Sequence, residues 1–139
     1  MDRAAPWEPL PLLCASQASA ALCALVPDPK RKRRWAIAAL ALIDKYKELR
    51  LRDDEPSDAQ ARGVLEVEVD YNRGRILQAT GFLSAAAAAY ERALRSPGIA
   101  YAASMGLRRD AAHNLSRIYA SSGMVAKARE VVQAHLRFG

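Results

Sequence analysis

Two imidazoles and two thiols are the side chains of this sequence best suited to acid–base, nucleophilic or metal chemistry, and their spacing supports none of these. His113 and His135 are the only histidines, and neither has a cysteine, a carboxylate pair or a serine at a spacing that a triad or a metal site would use. Cys14 and Cys23 fit neither a disulfide framework nor a ligand pair, so a reducing compartment is the default. No glycine-rich phosphate loop follows a strand. The expectation is a protein that is not an enzyme and holds no cofactor, no metal and no small-molecule substrate. The one concentrated chemical feature is the run Lys30, Arg31, Lys32, Arg33, Arg34. It has three readings: the solvated first turn of a helix, a nuclear-import tract, or a contact to phosphate or an acidic partner. Plain solvation is the first of these, although five cations at a helix N-terminus oppose the helix dipole and make it less comfortable than an ordinary charged surface. No aromatic set is interleaved for base stacking, so any DNA contact is expected to be indirect or weak, backbone-directed and salt-sensitive.

The elements that position these residues follow from composition. A chain of 139 residues is one domain able to bury a core. Half of it is apolar but few residues are aromatic and many are alanine, which favours closely packed helices over sheet. The net charge of +6 is local: Lys30 to Arg52 holds nine basic residues against Asp44 and Glu48, +7, which leaves −1 for the rest. No apolar run is long enough to span a bilayer; "LPLLCASQASAALCALVP" comes nearest, but Gln17 and prolines interrupt it and no positive start precedes it, so it reads as a buried helix.

The opening "MDRAAPWEPLP" reads as irregular to about Glu8, followed by a helix from Leu10 to Leu25 that Pro27 ends. Asp28 as cap and Pro29 as first residue start a long second helix with an apolar stripe at Trp35, Ala39, Leu42, Tyr46 and Leu49. Pro56 breaks it. Ser57 with Gln60 forms a capping-box pattern for a third helix, which starts between Asp58 and Leu65 according to whether Gly63 interrupts it early and which runs to about Ala79. A fourth runs from Phe82 to Arg95, then a loose linker of about ten residues leads to a fifth, Leu107 to Ala120, and a sixth, Met124 to about Arg137. The fold class expected is all-α: about six helices in three hairpins, about 8–52, 58–96 and 107–138, in one domain over 1–139.

Helix–turn–helix units with small residues at their crossings are the tetratricopeptide pattern, and two units fit it. In the first, Gly74 is the crossing residue, Leu77 the large residue after it, Gly81 the turn, then Ala86, Tyr90 and Ala93 before Pro97. In the second the equivalents are Leu115 and Ser116, Tyr119, Gly123, Ala128 and Val132. The expected architecture is a short right-handed α-solenoid, its linker about eight residues longer than the usual period. Asn72 and Asn114 occupy matching places and are read as hydrogen-bonded to neighbouring backbone or hairpins, with direct ligand contact as the alternative.

With those residues in view, "EVEVDYNRGRILQATGFLSAAAAAYERAL" and "LRRDAAHNLSRIYASSG" resemble the C-terminal end of the large tetratricopeptide-repeat subunit of transcription factor IIIC (TFIIIC), the RNA polymerase III assembly factor. The matching positions are Tyr71, Asn72, Gly74, Arg75, Gln78 and Gly81, then Arg108, Arg109, Asp110, Ala112, Asn114, Leu115, Ser116, Ile118, Tyr119, Ser121, Ser122 and Gly123, with the longer linker between them that this family also has. The likeness is specific over 66–123 and looser before. Asp70 and Arg73 stand where that family is usually apolar. Members of the family are longer, with an N-terminal array, so the resemblance implies a fragment, a truncated gene product or a reduced homologue.

What the resemblance implies is a nuclear interaction scaffold, part of the TFIIIC complex, that helps bring factor IIIB (TFIIIB) to RNA polymerase III promoters, with other TFIIIC and TFIIIB components as partners and no membrane. The alternative is a free-standing tetratricopeptide adaptor of chaperone or trafficking type that binds acidic peptide segments. Candidate partner-binding residues are Lys30, Arg31, Lys32, Arg33, Arg34, Arg75, Arg108 and Arg109; candidate packing residues are Tyr71, Asn72, Gly74, Gly81, Ala86, Tyr90, Asn114, Leu115, Ser116, Tyr119, Gly123 and Ala128.

Overall fold

Local signals in the sequence place most helix ends correctly. The computed structural model describes residues 9–53, 58–103 and 106–136, and among them it is helical throughout, with no strand. The helices are α1 (Pro9–Leu25), α2 (Pro29–Asp53), α3 (Ala59–Ala79), α4 (Leu83–Arg95), α5 (Ile99–Ala102), α6 (Leu107–Ser121) and α7 (Val125–Val131), the last continued by a π-type segment Val132–Leu136. Asp28 caps α2 as its position requires, its carboxylate accepting from the Lys30 N–H at 3.1 Å. The expectations for residues 1–8 and for Ser57 lie outside the described residues; the cap of α3 is Asp58, which accepts from the Ala61 N–H at 3.1 Å.

Three expectations are corrected. The linker after Pro97 is not loose: it holds α5, a seventh helix, whose Ala102 is fully buried against Val67 of α3 and Ala93 of α4. Gly63 does not interrupt α3, which passes through it unbroken. Its role is close approach instead, since a Cβ on Gly98 would lie 2.2 Å from the carbonyl carbon and oxygen of Gly63. The buried stripe of α2 is Ala36, Ala39, Ile43 and Tyr46: Ala39 and Tyr46 are as expected, Ala36 and Ile43 take the places of Trp35 and Leu42, and Trp35 stays 39% exposed. Ala36 has the smaller side chain and lets α2 lie closer to its neighbours.

Packing follows chain order. The helices α1 and α2, α3 and α4, and α6 and α7 form antiparallel pairs, and α2 on α3 and α4 on α6 join one pair to the next. Three small cores result: Ala39, Ile43, Tyr46, Leu65, Val69 and Ile76 between α2 and α3; Val67, Ala93 and Ala102 around α5; and the largest, built on Tyr90, Leu94, Leu115, Ile118 and Tyr119, between α4, α6 and α7. The turns closing the second and third pairs are the same. Gly81 and Gly123 take φ of +87° and +80°, and the N–H groups of Phe82 and Met124 donate back to the carbonyls of Leu77 and Tyr119 at 2.9 and 2.8 Å. A Gly98→Ala substitution is expected to cost about 2 kcal/mol, because both contacting groups are backbone and cannot swing aside; thermal unfolding should show a midpoint lower by roughly 6–10 °C.

Candidate functional site

The residues that carry the repeat pattern converge on one phenol. Tyr90 of α4 is fully buried, and its ring lies on Gly74 of α3 so closely that a Cβ there would sit 2.5 Å from ring carbon Cε1. Its hydroxyl donates to Gln78 Oε1 at 2.7 Å and accepts from Asn114 Nδ2 of α6 at 3.2 Å. One side chain thus ties α3, α4 and α6 together, and burial raises the Tyr90 pKa well above the ordinary phenol value. Asn72 has a matching duty one pair earlier: its amide donates to the Glu68 carbonyl at 2.8 Å and accepts from Gln17 of α1 at 3.2 Å. Both asparagines are therefore engaged with neighbouring helices, as the sequence implied. Ala86 and Leu115 are buried, Tyr119 and Ala128 nearly so, and the Ser116 hydroxyl turns back to the His113 carbonyl at 2.8 Å.

Around this joint lies a half-open polar cluster. Tyr71, half-buried, stands with its ring centroid 6.0 Å from that of Tyr90, and the Arg75 guanidinium covers its ring at 5.9 Å from the centroid. Burial raises the Tyr71 pKa; Asp110 adds to that, while Arg75 and the Asn114 amide oppose it. Tyr71, Arg75, Asp110 and Asn114, far apart in sequence, are thus brought onto one face between α3 and α6. Arg109 is exposed on the first turn of α6. Arg108 is turned inward: it donates to His135 Nδ1 and to the Ala134 carbonyl, both at 3.2 Å, and so fastens the end of the last helix.

The basic run is remote from that cluster. Lys30, Arg31, Arg33 and Arg34 are exposed at the start of α2, and Lys32 is half-buried. Arg33 and Lys32 instead face Thr80 and Phe82, in the turn between α3 and α4, across a hollow of about 310 Å³.

Sequence reasoning missed the ion network. Asp70 and Arg73, flagged as oddly polar for the third helix, form an alternating chain: Asp44 of α2 pairs with Arg73, Arg73 lies 3.7 Å from Asp70, and Asp70 lies 3.4 Å from Arg92 of α4. Polar residues at i and i+3 on α3 signal such a ladder only when charges on both neighbours can be placed. Tyr46 is likewise raised in pKa, by burial first and then by its hydrogen bond to Glu68. Among the described residues no group of His, Cys, Asp or Glu could hold a metal, and no helix is long and apolar enough to cross a membrane. Cys14 is exposed, and the side chain of Cys23 lies outside the described residues.

Two outcomes follow. Tyr90→Phe strands Gln78 and Asn114 and is expected to destabilise the protein by about 1–3 kcal/mol in denaturant titration, with the helical signal kept. The His135 pKa is lowered by burial and by Arg108, so the unfolded chain takes up the proton first. The stability His135 contributes is present above about pH 6.5 and is lost as pH falls through its lowered value. Comparing His135→Gln with the unsubstituted protein between pH 7 and 5, the variant should lose less stability over that window.

Compared with protein-family models, with curated proteins and with solved structures, the chain matches none of them.

Proposed function

We propose that the chain is a protein-interaction scaffold whose helix pairs stack as tetratricopeptide-like units in a short right-handed solenoid, and that it works in the nucleus as part of the TFIIIC complex, helping to recruit TFIIIB. The observation that carries this reading is the joint at Tyr90. The two stretches that bear the resemblance, 66–94 and 107–123, meet at Tyr90, whose ring lies on Gly74 and whose hydroxyl bonds Gln78 of the first stretch and Asn114 of the second. The close approach at Gly74, the buried ring of Tyr90 and the turns at Gly81 and Gly123 are what a repeat reading calls for, and they support it. Matching Schellman turns after Ala79 and Ser121 also support two units of one design. Units stacked in this way present a continuous face to a partner. The cluster of Tyr71, Arg75, Asp110 and Asn114 supplies such a face with an aromatic, a cation, an anion and an amide, a set suited to protein contact rather than to catalysis. Arg108, committed to His135, serves this scaffold as a clasp.

A second reading, an adaptor that binds acidic peptide segments, is favoured by the exposure of Arg75 and Arg109. Co-purification of the tagged chain from its own cells, followed by mass spectrometry, separates the two. Recovery of other TFIIIC subunits is the expected outcome; recovery of chaperones alone would favour the adaptor, and recovery of neither TFIIIC nor TFIIIB subunits would sink the first reading.

A further inference from the structure

The turn end of the helix pairs combines three features. The first is charge. Four exposed cations, Lys30, Arg31, Arg33 and Arg34, form no ion pair among the described residues, and they stand on the first turns of a 25-residue helix, where they work against its dipole. Asp28, the carboxylate next to them in sequence, is occupied in capping that helix. An arrangement that costs the free helix stability is relieved when an anion sits over it.

The second feature is apolar exposure in a repeated form. After each turn glycine comes an apolar pair at the start of a helix: Phe82 and Leu83 are 44% and 41% exposed, Met124 and Val125 48% and 59%. An apolar residue after a Schellman glycine ordinarily leans on the helix it closes. These remain open to solvent all the same, and neither Phe82 nor Met124 gives its new helix a side-chain cap, which serine or aspartate would supply.

The third feature is shape and adjacency. The hollow of about 310 Å³ has Arg33 on one side and Phe82 on the other. A second hollow, of about 230 Å³, runs from Leu83 to Met124. Cations, first apolar pair, groove and second apolar pair therefore follow one another across the turn end.

We propose that this track is a docking site for an acidic peptide segment with large apolar side chains, its carboxylates over Lys30–Arg34 and its apolar residues in the two hollows. A nucleic acid fits less well, because the surface beyond the cations is apolar and gives a continuing phosphate backbone no counter-charge. A bilayer fits less well because the apolar residues rim hollows rather than a plane. The proposal places the acidic-segment site away from Arg75 and Arg109. It is compatible with the scaffold reading but independent of the TFIIIC assignment, since direct binding can succeed where co-purification fails.

The test is fluorescence anisotropy of the full chain with a labelled 16-residue peptide carrying four Glu or Asp at one end and Leu, Phe and Leu spaced along the rest. Saturable binding is expected, at least tenfold weaker for the chain with Lys30→Glu, Arg33→Glu and Arg34→Glu, and at least fivefold weaker when the peptide's three apolar residues become Ser, a change that leaves the protein untouched. Phe82→Ser should weaken binding while the thermal midpoint stays within about 5 °C, since serine can cap α4 where phenylalanine does not. Equal affinity for the apolar-free peptide would overturn the proposal, leaving only a general attraction of cations for anions. So would the absence of peptide binding in a chain that sediments with phosphatidylserine vesicles or retards duplex DNA.

Discussion

Everything between α3 and α7 depends on a phenol pressed against a glycine. Gly74 removes the one side chain that would keep α4 off α3, and Tyr90 fills the space with a ring whose oxygen is held from both sides, by Gln78 and by Asn114. A buried hydroxyl is tolerable only if it is bonded, and here its two bonds reach the helix before and the helix two elements after. One requirement of solvation thus becomes a fixed spacing between consecutive helix pairs. The apolar residues around it, Leu94, Leu115 and Ile118, add adhesion without direction; the phenol adds direction.

The N-terminal half is organised by charge. Tyr46 with Glu68 and Arg50, and Asp44 with Arg73, hold α2 on α3. Partly exposed ion pairs are worth little singly. Their value lies in being linked: Arg73 shares Asp44 and Asp70, and Asp70 shares Arg92, so three helices are registered by one alternating series.

Legibility in the sequence followed the range of the interaction. Caps, prolines and positive-φ turns act within a few residues, so Asp28, Gly81 and Gly123 could be read directly and placed the helix ends to within a residue or two. Pattern reading reached further and marked Gly74 and Tyr90 each as a packing residue, but that the Tyr90 ring fills the space a Cβ on Gly74 would take is visible only in the fold. Partnerships between residues with no shared pattern could not be read. Gly63 looked like a helix breaker because a lone glycine weakens a helix locally, whereas its reason lies 35 positions away at Gly98, where two backbones touch. The linker looked loose because four residues of helix carry too little periodicity to declare themselves, and only the closed pocket around Ala102 shows why they are ordered. Arg108 read as a partner-binding residue because its acceptors, an imidazole nitrogen and a carbonyl on the last helix, lie 27 and 26 positions further along the chain.

Because each helix touches chiefly those next to it in the chain, few contacts require a long loop to be closed first. A chain wired in this way has low contact order, so its folding barrier is set by the first pair of helices to meet and later pairs add by extension. The Tyr90 joint, where a fully buried ring is bonded to a helix on either side, is the expected nucleus. From there structure is expected to spread outward, helix pair by helix pair.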